Sequence, residues 1–131
     1  MRFLPGFNWW RKWLGSTSEK EAASYLENKG YGILARNWHC PAGEIDLVAR
    51  DGDCLVFVEV RSRNAAPVED AAASVNETKQ AKLSRLAKWF VQKHRLQAVL
   101  CRFDVLAVAW DNGKKKPRIE HIQGAFESTG N

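Results

Sequence analysis

The chain has 131 residues, an apolar content of 45% and a net charge of +5, values typical of one soluble globular domain with a single core. No run approaches the roughly 20 apolar residues of a membrane span, and residues 1–14 lack the uninterrupted apolar region of a secretory signal. The three cysteines form no CxxC pair and are expected to be reduced. These features predict a cytoplasmic protein that does not enter the membrane.

Residues 1–14 form a basic, tryptophan-rich segment ahead of a single domain, residues 15–131. This segment can pack on the domain, contact another subunit or stack on unpaired bases, as surfaces of aromatic and cationic side chains do. A role at a membrane surface is a further alternative, for which the segment is short. Its aromatic residues are Phe3, Phe7, Trp9, Trp10 and Trp13.

The first helix is predicted over 17–28. Ser16 and Glu19 have the spacing of a capping box, in which each side chain satisfies a backbone N–H at the start of a helix. Glu19 therefore lies in the first turn. Residues 31–36 are predicted as a short strand and 37–42 as a loop.

Residues 43–61 are the most informative stretch, two apolar strands joined by a tight turn. The Asp51-Gly52 dipeptide between apolar runs is typical of a two-residue type I′ hairpin loop, because glycine adopts positive φ cheaply. That loop fixes the register of the two strands. The predicted pairs include Arg50–Asp53, Asp46–Phe57 and Glu44–Glu59.

Acidic side chains interrupt both strands of this hairpin. Because side chains alternate along a strand, Glu44, Asp46, Glu59 and Arg61 project from one face. Buried carboxylates need a cation or another partner, and like charges that face each other are destabilising. A divalent metal site is therefore predicted, with ion pairs to Arg61 and Arg102 as the structural alternative. A three-residue turn would move Glu59 to the other face and remove the site.

The second helix, over about 76–94, has one apolar stripe at helical spacing, with a cap predicted from Ser74 and Glu77. Lys79 lies on its inward side. Residues 79–103 contain seven Lys or Arg and no acid. Such a segment beside an acidic pocket suits a polyanion, and it is also the pattern of a solvated helix face. The cations expected to reach solvent are Lys82, Arg85, Lys88 and Lys93.

The remaining segments are an irregular stretch over 62–73, a strand over 98–110, a basic turn over 112–117 and a final strand over 118–123. Two helices among five strands predict an α/β protein. We expect a mixed sheet with a helix on each face.

The chain resembles the YraN-like family of the PD-(D/E)xK, or restriction-endonuclease-like, superfamily, which is related to archaeal Holliday-junction resolvases. The pattern is an Asp on one strand of a hairpin and Glu-x-Lys on the next, with a Glu on the preceding helix. The resemblance covers residues 15–126. Matching stretches include Glu19-Lys20-Glu21-Ala22, Lys29-Gly30-Tyr31, Gly43-Glu44-Ile45-Asp46-Leu47, Val56-Phe57-Val58-Glu59-Val60, Arg102-Phe103-Asp104-Val105 and Ile119-Glu120-His121-Ile122.

The resemblance implies a restriction-endonuclease-like mixed sheet flanked by helices, and metal-dependent cutting of branched or flapped DNA. By position, Asp46 and Glu59 would hold Mg²⁺ or Mn²⁺, with the carbonyl of Val60 and the carboxylate of Glu44 as further contributors. Glu19 would support the metal or order its water, unless it only caps the helix. Mg²⁺ is usually held by one or two carboxylates together with substrate phosphate.

Arg61 stands where the family pattern has lysine. Arginine keeps the charge and grips phosphate with two hydrogen bonds, yet it never deprotonates. Arg61 then acts either on the phosphate or only as a structural counter-ion, and Lys79 or Arg63 can supply the missing cation. The expected DNA contacts are Lys79, Arg63, Lys82 and Arg85.

Three functions are compatible with these residues. The first is a nuclease, the second is a non-catalytic DNA-binding module with the same fold, and the third is a scaffold that binds a protein through residues 1–14. Related resolvases act as dimers, because a four-way junction presents two equivalent cleavage points. By that analogy we expect a homodimer.

Overall fold

A computed structural model describes residues 17–64, 71–111 and 115–129. The tryptophan-rich segment 1–14 lies outside the described residues. Within those ranges, no helix has the length and apolar character needed to cross a membrane. The elements are α1 (Thr17–Asn28), β1 (Gly32–Cys40), β2 (Gly43–Asp51), β3 (Cys54–Asn64), α2 (Glu77–Lys93), β4 (Cys101–Trp110) and β5 (Arg118–Phe126).

The five strands form one sheet in the order β1-β2-β3-β4-β5. Neighbouring strands are antiparallel except β3 and β4, which are parallel and are connected through α2. A parallel pair needs such a crossover, because the second strand must start again at the same end of the sheet. The predicted α/β arrangement, a mixed sheet of five strands flanked by helices, is confirmed.

Both faces of the sheet are covered, one by α2 and the other by α1. Strand β3 serves both cores by alternation. Leu55 and Phe57 pack beneath α2, whereas Val56 and Val58 pack beneath α1. A strand covered on both faces is a continuous apolar run in the sequence. Glu59 follows that run directly, so charge enters β3 at this position.

Both helices lie where the sequence predicts them, with α1 matching the predicted bounds. The cap of α2 differs from the prediction. Asn76, not Ser74, precedes the helix, and its side-chain oxygen accepts a hydrogen bond from the backbone N–H of Lys79 at 2.9 Å. Asparagine is a preferred N-cap because its oxygen satisfies such an otherwise unbonded N–H. The Ser74 hydroxyl instead donates to the carbonyl of Ala71.

Strand β1 is longer than predicted, because it continues through the expected loop to Cys40. Asn37 adopts φ 52° within the strand. Asparagine tolerates this left-handed conformation better than most residues, so the chain bends there without leaving the sheet. The far strands also differ from prediction, since β4 begins at Cys101 and β5 extends to Phe126.

The predicted register of the β2–β3 hairpin is wrong. Asp51 pairs with Cys54, so the two-residue loop is Gly52 and Asp53, with Gly52 at φ 60°. Both Asp-Gly and Gly-Asp are acceptable two-residue loops. In the observed Gly52-Asp53 loop, Asp51 is the last residue of β2 and contacts β4. Its carboxylate accepts a hydrogen bond from Arg102 Nη1 at 3.0 Å.

The correction slides the pairing by two positions. Arg50 pairs with Leu55 instead of Asp53, and the last β2–β3 pair is Leu47–Val58. A two-residue slide by itself preserves the side-chain alternation, and Glu59 lies on the α2 side of the sheet, as Phe57 does. The predicted juxtaposition of Glu44 with Glu59 is lost.

Candidate functional site

Strand β2 departs from regular alternation at Asp46. Ile45 and Val48 both belong to the core beneath α2, although residues three apart in a regular strand point to opposite faces. Asn37, with its positive φ, lies at the same level of β1. The last pair between β2 and β3 is Leu47–Val58, so Asp46, the residue next to Leu47, is no longer paired with β3. Asp46 therefore lies where the sheet opens between these two strands.

The Asp46 carboxylate reaches into this opening. Its Oδ2 accepts a hydrogen bond from the backbone N–H of Val60 at 2.8 Å. In an extended strand, the N–H and C=O of one residue point towards the same neighbouring strand. The Val60 carbonyl therefore faces the same gap as the carboxylate, as the metal prediction requires.

Glu59 is buried, with 6% of its surface exposed. Its Oε2 lies 3.5 Å from Lys79 Nζ and 3.7 Å from Arg61 Nε. Burial, and then the charge of Asp46, raise the pKa of Glu59 above its ordinary value, while Lys79 and Arg61 act in the opposite direction. Burial is the larger cause, so Lys79 and Arg61 only partly offset the cost of ionising Glu59 at this position.

Arg61 is fixed from the opposite side of the site. Its Nη2 donates to the backbone carbonyl of Ser74 at 3.3 Å, just before α2. Among the described residues its buried Nε has no hydrogen-bond partner, since the nearby Glu59 oxygen is too distant for a hydrogen bond. Arg61 therefore keeps a buried N–H available to a ligand oxygen.

These groups suit a hard divalent cation. Two carboxylates and one carbonyl, from Asp46, Glu59 and Val60, supply oxygen donors of the kind Mg²⁺ prefers. In the part of the chain that the structure describes, no group of three His, Cys, Asp or Glu side chains is arranged for a metal. Mg²⁺ needs only one or two carboxylates, because water and phosphate complete its coordination. The donor set therefore fits Mg²⁺ and disfavours a structural zinc site.

The other predicted metal contributors have separate surroundings. Glu44 is half exposed, and its Oε1 lies 3.4 Å from His39 Nε2 across the β1–β2 hairpin. Glu19 lies in the first turn of α1. The hydroxyl of the preceding residue, Ser18, bonds to the Ser62 hydroxyl at 2.6 Å, which places the start of α1 near the end of β3. Metal roles for Glu44 and Glu19 stay predictions.

The predicted DNA-contacting cations divide into three groups. Lys79 points inward to Glu59, as expected for its position on α2. Lys82 and Arg85 are exposed on the outer surface of the same helix. The side chain of Arg63 lies outside the described residues. The structure therefore places one predicted phosphate contact inside the site and two on an adjacent surface.

Arg102 does not approach the site, contrary to the alternative in which it pairs with Asp46 or Glu59. It belongs to a separate network beneath α1, where its Nε and Nη2 donate to the Asp104 carboxylate at 2.8 and 2.9 Å. Arg102 and Asp104 are two residues apart on β4, so their side chains share a face of the sheet. The sequence does not predict that His121 Nε2 lies 2.6 Å from the same carboxylate. That contact depends on the register of β5 against β4.

Comparisons with known proteins give the following similarities. A solved structure of an EndoMS–dsDNA2 complex is similar over 82% of this chain and 50% of that chain, with 16% identity and a TM-score of 0.32. A UPF0102 protein of Pelotomaculum thermopropionicum is 45% identical over 116 residues, which cover 88% of this chain and 97% of the relative. One of Paenarthrobacter aurescens is 44% identical over 111 residues, covering 85% and 91%.

A third relative, a UPF0102 protein of Geobacter metallireducens, is 42% identical over 116 residues that cover 88% of this chain and 93% of the relative. The profile of the uncharacterised protein family UPF0102 matches residues 18–108. This range begins in α1 and reaches well into β4, so it includes the whole Asp46–Glu59 site. The chain therefore belongs to the UPF0102 family.

Proposed function

We propose that this protein is a metal-dependent endonuclease of the PD-(D/E)xK type that hydrolyses phosphodiester bonds in branched or flapped DNA. The observation that carries the proposal is that two carboxylates, Asp46 and Glu59, lie close enough to interact at the opening between β2 and β3. Lys79 and Arg61 lie beside Glu59. A merely structural ion-pair cluster does not need a second carboxylate that raises the pKa of the buried one.

Asp46, Glu59 and the Val60 carbonyl would hold Mg²⁺ or Mn²⁺. When bound, such an ion polarises the scissile phosphate and lowers the pKa of a bound water. The protein's own contribution is mostly positioning and charge stabilisation, since phosphoryl chemistry needs little more. The Val60 N–H orients Asp46 for this role by holding one of its oxygens.

Arg61 and Lys79 then divide the work that a single lysine does in the family pattern. The guanidinium of Arg61 is anchored on the Ser74 carbonyl and retains a buried, unbonded N–H, which suits a phosphate oxygen. Arginine does not give up its proton. Lys79 places an amine 3.5 Å from Glu59, so any step that needs a titratable amine falls to Lys79.

A second function is favoured by the same charges. Glu59 lies within 4 Å of two cations, so the two acids and two bases of the site cancel in formal charge. A nuclease fold that has lost catalysis and only holds DNA would retain such a neutralised site. It would bind DNA without metal, with an affinity that falls steeply as salt rises.

The test is cleavage of a labelled four-way junction, a flap, a duplex and a single strand in Mg²⁺ or Mn²⁺. We expect metal-dependent cuts in the branched substrates, reduced in Asp46→Asn and Glu59→Gln to below about one hundredth of the parent rate. Asp53→Asn, a carboxylate change in the exposed hairpin loop, is the matched control. Metal-independent binding without any cutting would favour the binding module.

A second readout does not depend on activity. An ion that binds only the folded chain raises the free energy of unfolding, by about 2.7 kcal/mol at an ion concentration a hundredfold above Kd. The melting temperature rises with it. Mg²⁺ or Mn²⁺ should therefore raise the melting temperature of the parent and of Asp53→Asn, but not that of Asp46→Asn. A parent protein that does not respond to either ion would argue against the metal site.

A further inference from the structure

We propose that the outer surface of α2 is a binding site for an unpaired DNA strand, in which Trp89 stacks on a base. The surface, called here the α2 stripe, consists of Lys82, Arg85, Trp89 and Lys93. The inference rests on the proposed function in one respect, that the strand held here is an arm of the DNA that is cut.

The four side chains of the α2 stripe share one side of the helix. Their spacing is i, i+3, i+7 and i+11, and at about 100° per residue these positions stay within a narrow sector. The inward side of α2 is occupied by a different set, in which Leu86 and Phe90 are fully buried. The stripe is therefore a solvent-facing surface with no role in the core.

Trp89 is the feature that a solvated basic face does not explain. It is 46% exposed, and Trp89 and Leu100 are the large hydrophobic residues exposed in the described part of the chain. Lysine and arginine on a helix surface need no partner. An indole left half in water, in the middle of a row of cations, is the composition of a surface that binds unpaired nucleic acid.

The charge of the helix agrees with a polyanionic ligand. After Glu77, α2 contains no acid, and no acid follows before Asp104. Within the described ranges, Lys82, Arg85 and Lys93 make no salt bridge, so their charge is not neutralised by the protein itself. A strand that lies along the helix meets positive charge at both ends of the stripe and an aromatic ring between them.

The stripe is continuous with the Asp46–Glu59 site. Lys79, one turn before Lys82, contacts Glu59. The side chain of Lys82 lies over the β1–β2 turn, where its Cε would be 3.0 Å from a Cβ built on Gly43. A row of cations therefore leads from the site onto α2.

The helix also sets a length. Trp89 lies ten residues after Lys79 in the sequence, which is about 15 Å along an α-helix. At about 3.4 Å per nucleotide of a stacked strand, this distance corresponds to roughly four or five nucleotides. The stacked base is then expected at that spacing from the bond that is cut.

The ligand is a single strand because stacking needs an exposed base face. In a duplex the faces are covered by neighbouring base pairs, so Trp89 has nothing to stack on and only the cations can contribute. Branched and flapped DNA contains such unpaired nucleotides. The α2 stripe thus gives the proposed enzyme a physical means to prefer these substrates over plain duplex.

The experiment measures binding in EDTA, where no metal-dependent cutting occurs, with fluorescently labelled single-stranded and duplex oligonucleotides of equal length. Trp89→Leu should weaken single-strand binding by roughly 5- to 100-fold and leave duplex binding unchanged. Trp89→Phe, which keeps a ring, should stay close to the parent. Leu100→Ala removes an exposed apolar side chain away from the stripe and should change neither affinity.

Two further measurements use changes that do not alter the stripe's indole. On the parent protein, an oligonucleotide with abasic sites keeps its phosphates but has no bases to stack, so it should bind weaker by the same factor as Trp89→Leu. Lys93→Gln should weaken single strands and duplex alike, and reduce the salt slope by about one charge.

An equal affinity of parent and Trp89→Leu for single strands, or an equal loss on duplex, would overturn the proposal, as would full affinity for the abasic strand. These outcomes are distinct from failure of the proposed function. If the parent cuts DNA but Trp89→Leu binds single strands normally, only the stripe fails. If Trp89→Leu loses single-strand binding while the parent cuts nothing, the nuclease assignment fails and the binding site remains.

Discussion

At the scale of single residues, the buried carboxylate of Glu59 is required by the proposed metal site but lowers the stability of the fold when it is ionised. Its pKa is raised, first by burial and then by Asp46, so the folded chain holds this proton more tightly than the unfolded chain does. The stabilising contribution of that proton is fully present below the ordinary pKa of glutamate and is lost as the pH rises through the raised value. Without a metal, the ionised carboxylate therefore costs stability at neutral pH.

Glu59→Gln should accordingly melt at a higher temperature than the parent at neutral pH in EDTA. The expected gain is a few degrees, on the scale of about 1 kcal/mol in a domain of this size. The gain should shrink below about pH 4, where glutamate is protonated in both states. Thermal unfolding across pH measures it, with Asp53→Asn as the control. A destabilised Glu59→Gln would mean that the ion pairs with Lys79 and Arg61 outweigh burial.

A second prediction at the residue scale concerns Arg61, which stands where the PD-(D/E)xK pattern has lysine. If Lys79 supplies the required amine, Lys79→Gln should lower the rate of DNA cleavage by about 100-fold or more, the usual scale for a proton-transfer or charge-stabilising group. Arg61→Lys should retain or exceed the parent rate, because it restores the family pattern. Rates under single-turnover conditions separate this effect from binding.

The control for this pair is Lys88→Gln, which removes an exposed charge from the same helix. A Lys79→Gln protein with the parent rate, together with an inactive Arg61→Lys, would assign the catalytic cation to the arginine.

At the scale of elements, the network around Asp104 ties the sheet together beneath α1. Asp104 is 1% exposed and accepts hydrogen bonds from Arg102 on its own strand and from the Gly124 N–H on β5. Arg102 also binds Asp51 at the end of β2 and the Tyr31 hydroxyl just before β1. The Arg102 guanidinium thus links β4 to the end of β2 and to the residue before β1, and Asp104 adds the contact to β5.

Asp104→Asn should destabilise the protein by about 3 kcal/mol or more, since it removes the buried charged partner of Arg102 and leaves only the more exposed Asp51. Burial alone would raise the pKa of Asp104, but hydrogen bonds from His121, Arg102 and Gly124 outweigh it and lower the pKa. The carboxylate's contribution is therefore present above the ordinary pKa of aspartate and is lost as the pH falls through the lowered value.

Chemical denaturation across acidic pH measures this prediction. Asp51→Asn is the matched control, because Asp51 binds the same arginine but its side chain is 42% exposed, and it should cost about 1 kcal/mol or less. Equal losses for Asp51→Asn and Asp104→Asn would contradict the role assigned to burial.

The same elements show how far the sequence predicts this structure. Helical periodicity is local, so the positions of α1 and α2 are predicted closely, although the N-cap of α2 is Asn76 and not the predicted Ser74. Alternation along β3 predicts that Glu59 shares the face of Phe57, whereas the irregularity of β2 at Asp46 is not predicted. The register is not predicted, since Asp51-Gly52 and Gly52-Asp53 are equivalent locally. What distinguishes the two loops is a contact between Asp51 and Arg102, two residues that are far apart in the sequence.

At the scale of the whole molecule, the acidic site between β2 and β3 adjoins the row of exposed cations on α2. The Asp46 carboxylate and the buried Glu59 carboxylate lie at the opening between β2 and β3, and the row of cations leads away from them along α2. A strand held by the α2 stripe would present its backbone to the site at one end. One copy of the chain contains one such site among its described residues, whereas a four-way junction has two equivalent bonds to cut.

We therefore expect two copies to act on one junction, each cutting one strand. A supercoiled plasmid with an extruded cruciform reports this, because two cuts within one binding event give linear DNA, whereas a single cut gives a nicked circle. The parent alone should yield mostly linear product. An excess of Asp46→Asn, which keeps the α2 cations but lacks a proposed metal ligand, should form mixed pairs and convert the product to nicked circles.

The same excess of Asp53→Asn should leave linear product in the majority, because this variant retains every group of the site. If Asp46→Asn lowers the total amount of cutting but leaves the ratio of linear to nicked product unchanged, the copies act independently. The pairing would then be wrong, although each chain could still be a nuclease. A shift towards nicked circles would show that a junction is cut by two chains bound together, because only a mixed pair contains one competent and one incompetent site.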